Sequence, residues 1–190
     1  MYNIYDCVDA FVPLLDTEYE LILGRKGTTV QLRIGFHKKD CFHLMGLQYL
    51  KDRPQLNRDR GKVFDEIRAR KITREQIESS DLYSKIEERV SFLPFLEEIF
   101  DSNETIFKYN ARADAFSLIQ ADYLMKNRIE NRNLFLFLSK DSGGKYFCRS
   151  FFTEDKRDYA KNQASWTLLS KKKIKISMNE AVVLCDKLAS

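Results

Sequence analysis

The stretch Asn133-Leu134-Phe135-Leu136-Phe137-Leu138-Ser139-Lys140-Asp141-Ser142-Gly143-Gly144-Lys145-Tyr146-Phe147-Cys148-Arg149-Ser150-Phe151-Phe152 decides the fold class. Asn133–Ser139 and Tyr146–Phe152 are apolar, aromatic-rich runs of strand length, and Asp141-Ser142-Gly143-Gly144 between them has hairpin-turn chemistry. Further strands are expected at Thr105–Tyr109, Ser117–Met125 and Trp166–Ile176. Near the other end, Glu18–Gly24 and Thr28–Phe36 flank Arg25-Lys26-Gly27 and read as a second hairpin. Between these blocks the periodicity turns helical. Lys39–Leu50 reads as a mostly buried helix with Asp40 as N-cap, and Asn57 caps a helix to about Arg70. Thr73-Arg74-Glu75-Gln76 is a capping box, and Leu82, Ile86, Val90 and Leu93 mark a helix that breaks near Pro94. Ser177-Met178-Asn179-Glu180 reads as a second capping box, opening a C-terminal helix through Leu188. A hairpin, a block of helices and a run of strands predict an α+β fold, a single domain with helices packed on an antiparallel β-sheet.

The 190 residues suffice for one large domain, and 44% hydrophobic with 32% charged residues excludes disorder. No apolar run, Leu134–Leu138 included, approaches the length of a membrane span, and Met1–Asp6 has no leader pattern. Cys7, Cys41, Cys148 and Cys185 lie far apart with no CxxC pair, which suits free thiols in a reducing compartment. A cytoplasmic location and no membrane partner are expected. From Lys140 to Lys175 ten basic side chains face four acidic ones, a net +6, which leaves the rest of the chain near −2. Such a region suits either contact with phosphates or an edge strand guarded by Lys171-Lys172-Lys173. Between Arg58 and Arg89 nine basic and eight acidic residues balance, as on a solvated helical surface.

His43 is the most chemically loaded position. With Asp40 as N-cap it falls in the first turn of its helix, where the positive end of the dipole favours neutral imidazole. Gly46, on the same face, leaves room for close approach. A core histidine bonded to a backbone carbonyl fits the same pattern. His37, Cys41 and His43 match no common zinc spacing, so no metal or cofactor is expected. Gly143-Gly144-Lys145 lacks the strand–loop–helix setting of a phosphate-binding loop. Alternation places Arg149 and Ser150 on opposite faces of their strand, and a helical turn at Tyr159–Gln163 would put Tyr159 and Gln163 on one face. Converging hydroxyl, phenol and amide groups suit a phosphodiester; an exposed polar rim is the plainer reading.

The segment Phe42-His43-Leu44-Met45-Gly46-Leu47-Gln48-Tyr49-Leu50-Lys51-Asp52 resembles a motif of the Barnase–EndoU–Colicin–RelE-like nucleases of phages and mobile elements, specifically their fourth phage group. The surrounding order is similar too. Ile34-Gly35-Phe36 precedes the motif, and Ser80 and Tyr83 begin the helix carrying Arg89. Leu134–Leu138, Ser150-Phe151-Phe152 and Tyr159-x3-Gln163 follow, so the resemblance covers roughly residues 15–175.

The resemblance implies a metal-independent endoribonuclease, a toxin or host-directed effector, that cleaves RNA through a 2′,3′-cyclic phosphate. It implies catalytic roles for His43, Arg149, Ser150, Tyr159 and Gln163, with Lys145, Asp52 and Lys161 as substrate contacts. His43 is then a proton acceptor or donor, and Arg149 or Lys145 stabilises the phosphorane. RNA is the expected partner, and an immunity or antitoxin protein goes with a toxin role. The alternatives are a non-catalytic nucleic-acid- or protein-binding module of the same fold, or a structural phage accessory protein.

Overall fold

The hairpin forms where the sequence places it, as β5 (Arg132–Lys140) and β6 (Tyr146–Thr153), but the sheet around it closes on itself. The computed structural model describes residues 2–102, 105–113, 117–154 and 157–188. The first hairpin is β1 (Thr17–Arg25) and β2 (Thr28–Ile34), turned by Lys26 and Gly27, both at positive φ. The remaining strands are β3 (Thr105–Lys108), β4 (Tyr123–Ile129), β7 (Ala164–Lys175) and β8 (Glu180–Asp186). Seven strands run β1-β2-β6-β5-β4-β3-β7, and β7 returns to pair with β1 from Thr17↔Lys175 to Gly24↔Thr167. The result is a closed barrel, where an open sheet was expected. Its narrowest seam is the parallel contact Ile34↔Tyr146, extended by Gly35 N–H donating to the Tyr146 carbonyl at 3.0 Å. The twelve residues of β7 let it serve two neighbours along one edge, β3 at 164–167 and β8 at 170–175.

The helices are α1 (Ile4–Phe11), α2 (Lys38–Met45), α3 (Arg60–Arg68), α4 (Arg74–Glu78), α5 (Glu87–Phe92) and α6 (Leu96–Ser102). α3 is capped by Asp59, whose carboxylate accepts from Lys62 N–H at 2.9 Å, two residues after the expected cap Asn57. The Thr73–Gln76 capping box forms at α4, and the chain breaks at Pro94 through a single 3-10 turn between α5 and α6. Inward strand residues such as Tyr19, Leu21, Leu32, Leu136 and Phe151 join the apolar sides of α1, α2, α3, α5 and α6 in one core. A second cluster of Tyr109, Leu124, Phe135 and Phe137 covers the other face of β4 and β5. Burial on both faces accounts for the unbroken apolar run Leu134–Leu138, which a half-solvated strand would interrupt with polar residues.

Three local expectations give way. Residues 177–188 form a turn and β8, not a helix. Ser177 is held by Asp16 (N–H to Oδ1 2.9 Å, Oγ to Oδ2 2.5 Å), so its hydroxyl does not cap, and Asn179 sits at φ +52. Val182 and Val183 then extend, as β-branched residues prefer. β4 starts only at Tyr123; Ser117 lies outside it and contacts the Tyr109 hydroxyl at 2.5 Å. Finally, β7 is no lysine-guarded edge. Lys171 is 1% exposed and donates to the Phe100 and Asp101 carbonyls (2.6 and 3.1 Å), and Lys173 pairs with Glu97 and Asp101 (2.8 and 2.7 Å). Lys145 pairs with Glu18 at 2.6 Å, so both Lys145 and Lys173 are matched by carboxylates from outside the basic segment. Lys156, another of the ten basic residues, lies outside the described residues. Among the described residues no helix is long and apolar enough to cross a membrane.

Candidate active site

α2 brings His43 to the barrel at β6, in a register different from the expected one. His37 is the N-cap, and Asp40, three residues on, accepts the His37 N–H at 2.8 Å. His43 therefore lies in the last turn, which ends when Gly46 at φ +84 donates its N–H to the His43 carbonyl at 3.0 Å. The negative end of the helix dipole there favours protonation, opposite to the expected effect. The imidazole is nonetheless held below the usual histidine value, first by burial and then by the cations Arg60, Arg149 and Lys39. Neutral imidazole was expected and is favoured, but desolvation and like charge are the cause.

Arg60, at the first position of α3, places its guanidinium against His43 Nε2. An arginine can only donate, so Nε2 accepts and the neutral ring carries its proton on Nδ1. Across the cleft, β6 carries a bulge. Phe137 pairs with Ser150 and Leu138 with Cys148, which leaves Arg149 as the extra residue. The bulge interrupts the alternation that would send Arg149 and Ser150 to opposite faces, and both line the cleft with His43. That cleft, about 480 Å³, is also lined by Lys39, Asp40, Gln48 and Arg60. Among the described residues no carboxylate pairs with Lys39, Arg60 or Arg149.

Two further groups shape the cleft. Asp40 is only 2% exposed, and burial pushes its carboxyl up to about 6. An acid raised in this way favours the fold while protonated. That contribution is whole below the ordinary aspartate value and is lost as pH rises through about 6. Asp40→Asn keeps an oxygen for the His37 N–H. It is expected to raise Tm by roughly 5 °C above pH 7, a gain that vanishes below pH 4, as thermal melts across pH will record. The Gln48 amide nitrogen lies 3.5 Å from the His43 carbonyl, while its Oε1 is buried without a partner among the described residues. Cys148 also borders the cleft, but burial pushes its thiol well up, so it is no ready thiolate.

The other expected site residues lie elsewhere. Tyr159 packs on Phe135, Phe137 and Phe152, beside the cleft wall, because Phe137 is the cross-strand partner of Ser150. Residues 159–162 form a turn with Asn162 at φ +61, not a helical one. The Gln163 amide is used twice on the Asn110 backbone, accepting from its N–H at 2.8 Å and donating to its carbonyl at 3.1 Å. Asp52 accepts from Ser80 Oγ at 2.7 Å and Asp81 N–H at 3.2 Å, and the Ser80 bond chiefly holds its carboxyl low. Lys145 is paired with Glu18, and Lys161 is exposed in the 159–162 turn. Arg60, Lys39 and Gln48 were missed. Arg60 sits in a charge-balanced stretch, and nothing local separates it from its solvated neighbours. Among the described residues no three His, Cys, Asp or Glu side chains gather as a metal-ligand set.

A family model described as phage-Barnase-EndoU-ColicinE5/D-RelE like nuclease 4 matches residues 3–188. No curated protein and no solved structure matches the chain.

Proposed function

The chain belongs to the phage-Barnase-EndoU-ColicinE5/D-RelE like nuclease 4 family, and from that membership and the His43 cleft we propose that it is a metal-independent endoribonuclease. The observation that carries the reading is a histidine held neutral among three cations, none of which is ion-paired with a carboxylate among the described residues. A bound phosphodiester supplies the missing negative charge. The Arg60 guanidinium finds in it a better acceptor than an imidazole and releases His43 Nε2. Nε2 then takes the proton of a ribose 2′-hydroxyl as O2′ attacks the adjacent phosphorus. The P–O5′ bond breaks, the 5′-oxygen leaves as a hydroxyl by taking a proton from solvent water, and the phosphate closes to a 2′,3′-cyclic ester. The imidazolium returns its proton to the hydroxide so formed. Arg149 and Arg60 face the charge of the phosphorane, and Ser150 donates a hydrogen bond to it. A toxin or host-directed effector role, with a cognate immunity or antitoxin protein, is part of this proposal.

Two outcomes test it. An oligonucleotide with one ribonucleotide in a DNA chain is expected to be cut only at that residue. Equal cutting of the all-deoxy chain would remove the 2′-hydroxyl from the mechanism. A base must be unprotonated, so the rate is expected to rise with pH through the His43 value and level off below ordinary histidine. Removing a neighbouring cation relieves the repulsion. Arg60→Met is therefore expected to move that limb upward in pH, and a pH–rate profile that does not move would separate Arg60 from the imidazole.

A further inference from the structure

Beyond the cleft, one cation lies where a second part of a substrate would fall. Arg89 leaves α5 with its guanidinium 4.3 Å from the centroid of the Phe152 ring and 5.1 Å from that of Tyr49. Other arginines of the helical block, such as Arg53, Arg58, Arg70 and Arg74, each pair with a carboxylate. Arg89 pairs with no carboxylate among the described residues; it is part-buried, rests on the two ring faces and donates a hydrogen bond to the Tyr49 hydroxyl. Tyr159 stacks behind Phe152 at 5.5 Å and 27°, which fixes that ring as a rigid backing.

The place is continuous with the His43 cleft by two routes. The Arg89 side chain crosses Gly46, where an added Cβ would stand 3.2 Å from its Cδ, and Gly46 is bonded to the His43 carbonyl. On the strand, Ser150 and Phe152 are two residues apart, about 7 Å along the same face. That is of the order of one nucleotide step. Tyr49 follows cleft residue Gln48 and leaves 40% of its surface to solvent, so the part of its ring that Arg89 does not cover is open to a planar group.

We propose that Tyr49 and Arg89 form a nucleotide subsite beside the cleft, holding an unpaired base of single-stranded RNA on the Tyr49 ring and the phosphate of that nucleotide on the Arg89 guanidinium. The inference rests on the RNA-cleaving reading of the cleft and adds a substrate class to it. A base inside an A-form duplex is paired and stacked, so an aromatic face reaches it only in unpaired segments. The stacking is sequence-tolerant, since every base offers a π-face.

The test uses a labelled 2′-O-methyl oligoribonucleotide, which binds without being cleaved, and reads affinity by fluorescence anisotropy. The parent protein is expected to prefer the single strand to its duplex and the intact strand to versions carrying one abasic nucleotide. Tyr49→Ala, at an exposed ring, is expected to lose roughly tenfold in single-strand affinity and to lose the intact-over-abasic preference. Arg89→Met is expected to lower the salt slope by about one. Should Arg89→Met fail to fold, the Tyr49→Ala arm decides alone. Parental binding in Tyr49→Ala, no abasic discrimination, or no binding by the parent would each overturn the subsite. Because this RNA cannot be cut, discrimination that persists in a protein without nuclease activity sinks only the catalytic reading. His43-dependent cleavage without discrimination sinks only the subsite.

Discussion

His43→Ala is expected to lower the rate of RNA cleavage by on the order of 10²–10⁴-fold, the range that a positioned general base contributes. The loss should be almost wholly in kcat. In the proposed complex the phosphate meets Arg149, Arg60 and Lys39, which alanine leaves in place, so single-strand affinity should change little. The fold should survive as well. The imidazole is only part-buried and its ring partner is the edge of Phe42 at 5.9 Å, so its removal leaves a shallow gap and no orphaned buried charge. Melting temperature, affinity for uncleavable RNA and single-turnover rate therefore separate the roles. A rate that falls only as far as stability falls would return His43 to a packing role.

Gly46→Ala is expected to produce the largest loss of stability of any single methyl added near the site. Gly46 sits at φ +84, where an L-residue costs about 1–2 kcal/mol. Its new Cβ would also meet Ile86 Cγ2 at 2.9 Å, Arg89 Cδ at 3.2 Å and Tyr49 Cδ2 at 3.3 Å. Ile86 is fully buried and has nowhere to move, so overpacking adds about 1–3 kcal/mol. The sum, about 2–5 kcal/mol, corresponds to a fall in Tm of roughly 5–15 °C for a domain of this size. Function should suffer beyond stability, because the collision displaces Arg89 and Tyr49 and loosens the end of the helix that carries His43. Gly46→Asn is the informative companion. Asparagine tolerates the left-handed conformation but brings the same Cβ, so it should recover only the backbone part of the loss. Full recovery with asparagine would show that the contacts at Gly46 are soft.

Local chemistry made much of the fold readable. Lys26-Gly27, Thr73–Gln76, Pro94 and Asp141–Gly144 each act through neighbours within a few residues, and each turn, cap or break stands where the residues put it. Closure of the barrel was not readable, because it depends on β1 meeting β7 across some 150 residues and on the single seam Ile34↔Tyr146. The C-terminal capping box misled for a related reason. Ser177 satisfied Asp16, a partner distant in sequence, instead of its own helix. At the site, His43 stood out as one of two histidines, and Arg149 and Ser150 were named with it. What joins them is a bulge, and a bulge is set by cross-strand packing of Phe137 and Leu138, not by the residue that bulges. Arg60 was hidden in a run of balanced charge, although it fixes the tautomer of the imidazole.

The central claim is that the His43 cleft cleaves RNA by 2′-hydroxyl attack without a metal. Its most direct test is to incubate the purified protein with single-stranded RNA in EDTA and identify the new termini by mass spectrometry. The account predicts fragments with 2′,3′-cyclic phosphate and 5′-hydroxyl ends, formed at a rate unaffected by the chelator. Ends with 3′-hydroxyl and 5′-phosphate, or cleavage that stops in EDTA, would contradict it.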